Sequence, residues 1–257
     1  MSRLEMLHRK LHARESVLST TICNLSWTGI IQRAAAFPFD MVMFDLEHGT
    51  LSVESVESLL RMCRVCDLPS VVRVPDCVPH LISKSLDMGA DGILIPRVET
   101  LEQVETAIRS VRYYPRGRKG CGGFSNFRAE DMGRIEKYND NRILFIQMES
   151  NEGLQILPEI LEKYGQEIAG VLVGPYDASI MLGTPLDILS DEMTRYIREV
   201  FDLCRRANIS CGSFVDGPDL IPRYRDLGGN IFWTGTDIGL LCSAFKNLCD
   251  IFNRETN

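Results

Sequence analysis

The stretch that decides the fold runs from Ser70 to Val111 and reads SVVRVPDCVPHLISKSLDMGADGILIPRVETLEQVETAIRSV. An apolar run at 70–74 reads as a strand, and an amphipathic segment at 79–88 as a helix that stops at Gly89. A second strand follows at 92–96. Thr100 then stands as a helix cap ahead of Glu102 and Gln103, opening an amphipathic segment at 101–111. Strand, helix, strand, helix is the order of parallel α/β architecture.

The same alternation continues in both directions. Strand-like runs are expected at 18–24, 41–45, 70–74, 92–96, 143–148, 169–174, 209–214 and 230–234, with helical patterns at 53–66, 79–88, 101–111, 152–161, 191–207, 218–227 and 236–252. Gly89, Gly165 and Gly228 fall where helices would stop. Eight such repeats suit a closed (β/α)8 TIM barrel, with an open doubly wound sheet as the alternative. No linker divides the chain, so residues 1–257 read as one barrel domain with an N-terminal helical extension over about 1–17. One connection, 112–142, is long and carries Gly117, Gly120, Gly122 and Gly123 among Arg112, Arg116, Arg118, Lys119 and Arg128. Loops of that length are functional or mobile, or else plain solvated excursions.

With 45% hydrophobic and 25% charged residues, the 257-residue chain can bury a large core. A net charge of −7 gives no basic field for nucleic acid or an anionic membrane, which leaves small solutes as the expected partners. The opening segment mixes Arg3, His8, Arg9, Lys10, His12 and Arg14 with irregularly spaced Leu4, Leu7, Leu11 and Leu18. It lacks the apolar block of a signal peptide, and no later run reaches the ~20 apolar residues of a membrane span, so a cytoplasmic protein is expected. Nine scattered cysteines read as buried thiols, and Cys63-x-x-Cys66 as packing rather than a zinc site. His8, His12 and His80 read as surface residues, and the Gly120-x-Gly122-Gly123 run lacks the strand and spacing of a dinucleotide loop.

In a barrel, chemistry sits at the carboxyl ends of the strands. The second strand leads into Asp45-Leu46-Glu47-His48, where His48 could exchange a proton and Asp45 orient it, or the two could be structural. The third ends at Arg73, a two-pronged partner for a substrate carboxylate or for a neighbouring acid. The fifth ends in Gln147-Met148-Glu149, with Gln147 and Glu149 on one face, and the sixth in Gly174-Pro175-Tyr176-Asp177. Glu149 and Asp177 on adjacent strands suit a hard divalent cation, Mg2+ or Mn2+ first, in an oxygen shell completed by water and substrate. The lysines (Lys10, Lys84, Lys119, Lys137, Lys163, Lys246) avoid every expected strand end, which disfavours imine chemistry.

In this order, FDLEHG (44–49), VVRVP (71–75), GADGILIPRVET (89–100), RGRKGCGG (116–123), IQMES (146–150), VLVGPYDAS (171–179) and WTGTDIGLL (233–241) resemble the HpcH/HpaI aldolase/citrate lyase family. The resemblance covers nearly all of the chain from about Leu18. It implies class II pyruvate aldolases with a divalent cation (Mg2+, Mn2+ or Co2+) on Glu149 and Asp177, Gln147 lining that site, and Arg73 holding the 2-oxo acid and its enolate. It also implies a His48–Asp45 acid–base dyad with Glu47 beside it, backbone N–H groups around Tyr176 and Asp177 meeting the substrate carboxylate, and Gly174 in the same substrate site. Two departures are Tyr176, where relatives often carry a small residue, and an atypical first strand, Thr21 to Trp27. The implied reaction is metal-dependent cleavage or formation of 4-hydroxy-2-oxo acids, with a pyruvate- or oxaloacetate-type acid and an aldehyde as small-molecule partners. A decarboxylase of oxaloacetate or a C–C bond-forming synthase would use the same site, a CoA-ester lyase would need a nucleotide surface not evident here, and a non-catalytic barrel scaffold would need none of these residues. The resemblance also implies a homo-oligomer, trimer or hexamer, with the last helix exchanged between subunits.

Overall fold

The structure is a computed structural model in which residues 1–122, 127–128 and 131–256 are described. Eight parallel strands close in chain order into the expected barrel. They are β1 (Val17–Ile22), β2 (Met41–Asp45), β3 (Ser70–Arg73), β4 (Gly92–Ile95), β5 (Ile143–Met148), β6 (Gly170–Val173), β7 (Ser210–Val215) and β8 (Ile231–Thr236). The ring is shut by β1 against β8, with Val17 opposite Ile231 and a register shift between Ser19 and Thr21.

The helices are α1 (Arg3–His12), α2 (Gly29–Ala35), α3 (Val53–Val65), α4 (Pro79–Asp87), α5 (Leu101–Val111), α6 (Ile135–Asn141), α7 (Asn151–Tyr164), α8 (Pro175–Met181), α9 (Asp191–Arg206), α10 (Ile221–Asp226) and α11 (Asp237–Thr256). Strand alternation sorts the core into two shells. Val42, Phe44, Val72, Ile93, Ile95, Leu144, Ile146, Val171 and Val173 point outward and pack under the helices. Val17, Met41, Met43, Val71, Leu94, Ile143, Phe145, Leu172, Ile231 and Trp233 fill the barrel interior.

Helix α1 begins with a capping box of Ser2 and Glu5 and plugs the amino end of the barrel with Leu4, Leu7 and Leu11, all buried in that inner shell. These three leucines follow i, i+3, i+7 spacing, a helical face; only Leu18, on β1, breaks the pattern. His8 is therefore not the surface residue expected. It is partly buried, its Nε2 lies 3.1 Å from the Asn141 carbonyl, and burial pushes its pKa down. His12 and His80 are exposed, Cys63 is core, and all nine cysteines are free.

The described parts of the long connection after α5 lie beneath the amino end, not over the mouth. Lys119 Nζ reaches Asp87 Oδ1 at 2.6 Å at the end of α4, and Arg128 Nη2 reaches Asp91 Oδ1 at 2.9 Å just before β4. The buried pair Arg142–Asp131 closes the segment around α6. The topology requires this placement, because a connection from a helix to the next strand returns to the strand's starting end. Gly123 of its glycine set lies outside the described residues.

Strand β1 ends at Ile22, short of the expected 24, because the Asp237 carboxylate takes the backbone N–H groups of Asn24 (2.9 Å) and Leu25 (2.7 Å) and turns the chain out of the sheet. Helix α11, which begins at Asp237, buries only that residue, and leaves Leu241, Phe245, Leu248 and Phe252 exposed. Among the described residues no helix is long and apolar enough to cross a membrane.

Candidate active site

The inner-shell alternation that packs the barrel also builds its mouth. Counting upward by twos from Met43, Val71, Phe145, Leu172, Gly212 and Ile231 arrives at Asp45, Arg73, Gln147 then Glu149, Gly174, Phe214 and Trp233. The top layer of the core is thus polar on β2, β3 and β5 and aromatic on β7 and β8. Polar groups taken from water in such a place must find partners.

Asp45 and Arg73 are direct register partners, and their side chains meet in a two-pronged contact, Nε to Oδ1 at 2.9 Å and Nη2 to Oδ2 at 2.5 Å. Glu47 Oε2 lies 3.2 Å from Arg73 Nη1, and the guanidinium sits 5.3 Å from the centre of the Trp233 ring. Burial alone would lower the Arg73 pKa, but the hydrogen bond and charge of Asp45, with Glu47 and Glu149 adding to them, raise it. Asp45 Oδ1 also accepts the backbone N–H of Glu47 (3.0 Å) and His48 (3.2 Å). Asp45 therefore reaches His48 through the main chain, while its carboxylate is spent on Arg73. The imidazole stands exposed at the rim of the mouth.

Across the mouth, Gln147 Nε2 donates to Glu149 Oε1 at 2.6 Å, and the backbone N–H of Arg97 donates to Oε2 at 2.9 Å. Arg97 adopts a left-handed φ of 48° to do so. Gly174 is required by close approach, since a Cβ there would stand 2.1 Å from Glu149 Oε1 and 2.4 Å from Gln147 Nε2. Burial pushes the Glu149 carboxyl up to about 7, with the nearby charges of Asp177 and Glu47 adding to the rise. Burial also raises Glu47. Glu47 Oε2 and Gln147 Oε1 are buried without a hydrogen-bond partner. Asp177 lies in the first turn of α8, exposed toward the same opening.

This half of the mouth holds more negative charge than its arginines balance. The donor set, two carboxylates and an amide oxygen free to accept, fits a hard oxygen-seeking cation completed by other ligands. Among the described residues no group of three or more His, Cys, Asp or Glu side chains could hold a metal ion.

A cavity of about 340 Å³ occupies the mouth, and Asp45, His48, Arg73, Gln147, Gly174, Tyr176 and Asp177 all face it. The four strand ends named from sequence are thereby brought to one opening; Glu149 does not itself line the cavity but sits against Gln147, which does. Sequence reasoning assigned no role to Thr21, Phe214, Trp233 or Arg97. The inward positions of β7 and β8 were readable from the same period of two, but apolar side chains at strand ends carry no chemical signal of their own. Cys23 at the rim donates its thiol to Asp237, and burial with that neighbour pushes its pKa up to about 12, which leaves it no thiolate for nucleophilic work.

A curated relative from Escherichia coli O9:H4 (strain HS), a 2-keto-3-deoxy-L-rhamnonate aldolase, is 32% identical over 228 residues, covering 87% of this chain and 84% of its own. Among solved structures, the HpcH/HpaI aldolase from Desulfitobacterium hafniense DCB-2 superposes with a TM-score of 0.87 at 21% identity, covering 95% of both chains. Macrophomate synthase superposes at 0.85 and 21% identity, over 98% of this chain and 90% of its own; at such identities the likeness is one of fold. The HpcH/HpaI aldolase/citrate lyase family profile matches residues 23–244, and the chain belongs to that family of enzymes.

Proposed function

We propose that the protein is a divalent-cation-dependent aldolase that cleaves or forms 4-hydroxy-2-oxo acids through a pyruvate-type enolate. The observation that carries this reading is the unbalanced carboxylate set at the mouth, Glu149 with Asp177 and Glu47, standing beside an arginine locked by Asp45. Glu149 and Asp177 would hold the cation, Mg2+, Mn2+ or Co2+, with Gln147 at its edge; when bound it supplies Lewis-acid polarisation of the substrate's keto oxygen.

The chain's own residues do the rest. Arg73 keeps its charge at any working pH and is held rigid by Asp45, so it can steady the 2-oxo acid and the negative charge that grows on the enolate. The backbone N–H groups of Tyr176 and Asp177 precede the first helical bond of α8, Ala178 N–H to Gly174 O, and are placed to meet the substrate carboxylate. A base linked to His48 and Asp45, which are joined through the His48 backbone N–H, would take the 4-hydroxyl proton as the C3–C4 bond breaks. Protonation of the enolate at C3 then releases pyruvate or a relative, with an aldehyde as the other product. The named activity of the Escherichia coli relative, a 2-oxo acid aldolase, supports the same reading.

The test is to remove metal with a chelator, restore Mg2+, Mn2+ or Co2+, and measure pyruvate release from a panel of 4-hydroxy-2-oxo acids and from oxaloacetate. Release only with metal and with the hydroxy-oxo acids is expected. Release that survives complete metal removal overturns the reading, turnover of oxaloacetate alone makes the protein a decarboxylase, and no turnover with metal bound makes it a scaffold. We also propose a homo-oligomer, trimer or hexamer, in which the exposed apolar side of α11 packs on another copy. Analytical ultracentrifugation showing a monomer would remove that assembly.

A further inference from the structure

The enolate half of the mouth is charged, whereas the other half is walled by rings. Trp233 stands edge-on to Phe214, centroids 5.4 Å apart at 82°, and Phe214 lies 6.2 Å from Tyr176. The wall is braced at both ends. The Trp233 indole N–H donates to Thr21 Oγ1, and the Tyr176 hydroxyl donates to Asp216 Oδ2 at 2.6 Å. Phe214 and Tyr176 are half-buried and face the cavity, so they leave apolar surface to be covered.

The charges tell the same story. Arg73 is the one permanent cation among the described residues lining the cavity, and Asp45 and Glu47 already engage it on one side. One carboxylate, that of the 2-oxo acid, suffices to use what remains. A carboxylate on the second reactant would find no cationic side chain at the wall, and would face Asp216 behind Tyr176.

Building on the aldolase reading, we infer that the acceptor half of this site takes an uncharged aldehyde with an apolar or aromatic substituent, seated on the Tyr176–Phe214–Trp233 wall, and discriminates against acceptors that carry a carboxylate. In the synthetic direction the bond formed joins C3 of the enolate to the aldehyde carbon, and the aldehyde oxygen takes up one proton to become the 4-hydroxyl. Each methylene covered by the wall should raise kcat/KM about fourfold until the cavity is full.

The experiment is a competition in one vessel. Mg2+- or Mn2+-loaded protein receives pyruvate with equal concentrations of 3-methylbutanal and succinic semialdehyde, while exchange of the pyruvate methyl protons in D2O without acceptor reports enolate formation separately. Exchange with a preference of about tenfold or more for 3-methylbutanal is expected, falling in Phe214→Ala and partly in Asp216→Asn. Exchange with equal or greater use of the semialdehyde overturns the inference while leaving the enolate chemistry intact; absent exchange overturns both. Saturation-transfer NMR on metal-free protein gives a reading that needs no turnover. Transfer to 3-methylbutanol that Phe214→Ala abolishes is expected, and transfer to succinate of equal strength that Phe214→Ala also abolishes overturns the inference.

Discussion

The two ends of this barrel handle buried charge in opposite ways. At the amino end, ions face ions. Arg142 and Asp131 are both fully buried and paired at 3.5 Å, and Asp91 is shared by Arg64 and Arg128. A cavity of about 330 Å³ there is lined by Arg112 and Arg116, but both guanidinium groups already grip Glu167. At the carboxyl end, Glu47, Glu149 and Asp177 crowd together, a carboxyl titrates near 7, and two oxygen atoms lack hydrogen bonds. One end spends its charges on holding the structure shut. The other keeps charge unspent, which is the condition for binding something.

Breaking the mouth should have the largest effect. Arg73→Ala is expected to keep metal affinity and lose substrate binding, and Glu149→Gln to lose metal affinity, each lowering enolate formation by about 10²–10³-fold. Isothermal titration with Mn2+ alongside the D2O exchange assay separates them, and the reverse pattern would exchange their roles. Gly174→Ala should resemble Glu149→Gln, because the added methyl falls on the Glu149 carboxylate.

Breaking the amino end should instead cost stability while sparing the activity of molecules that remain folded. Asp131→Ala leaves Arg142 buried without its acid, and about 3–5 kcal/mol is expected from urea unfolding. Leu7→Ala opens the plug and should cost about 2–4 kcal/mol. A large fall in specific activity per folded molecule in either variant would erase the contrast between the ends.

The pH dependence sharpens it further. Glu149 is raised from 4.5 to about 7 in the folded protein, so the metal-free fold loses stability as pH climbs from 4.5 through 7, by at most about 3 kcal/mol. Urea midpoints at pH 5 and pH 8 with chelator present should show this loss. Glu149→Gln should flatten the difference, and Mn2+ should restore the wild-type midpoint at pH 8. The smallest effect belongs to neither end: Lys246→Ala removes an exposed pair with Asp250 on α11 and should leave the midpoint unmoved.

Most of the barrel was legible because its signal is periodic. Strands β2 and β5 match the expected bounds residue for residue, as does α5. What escaped was short or set by distant contacts. Helices α2, α6 and α8 span seven residues each, too few turns for a periodic signal to stand out. The end of β1 depends on Asp237, more than two hundred positions away. At the site, Asp45, Arg73, Gln147, Glu149 and Asp177 announced themselves as polar residues at strand ends. A pairing of Arg73 with a neighbouring acid was one of its two expected roles, but that the acid is Asp45, turned away from the imidazole, was not legible, because that register exists only once the strands are hydrogen-bonded.

The site is the uppermost layer of the same inward-facing ladder that fills the barrel, and the ladder is completed by its first and last strands, Val17 against Ile231. Trp233 reaches the Arg73 guanidinium only after that seam forms, the most distant contact in sequence that the sheet makes. Refolding should therefore restore helical content well before it restores turnover, since loop closure over nearly the whole chain is a slow search. That uppermost layer thus works as a proofreading mark: a chain whose seam is open or out of register carries every residue of the layer and none of its geometry.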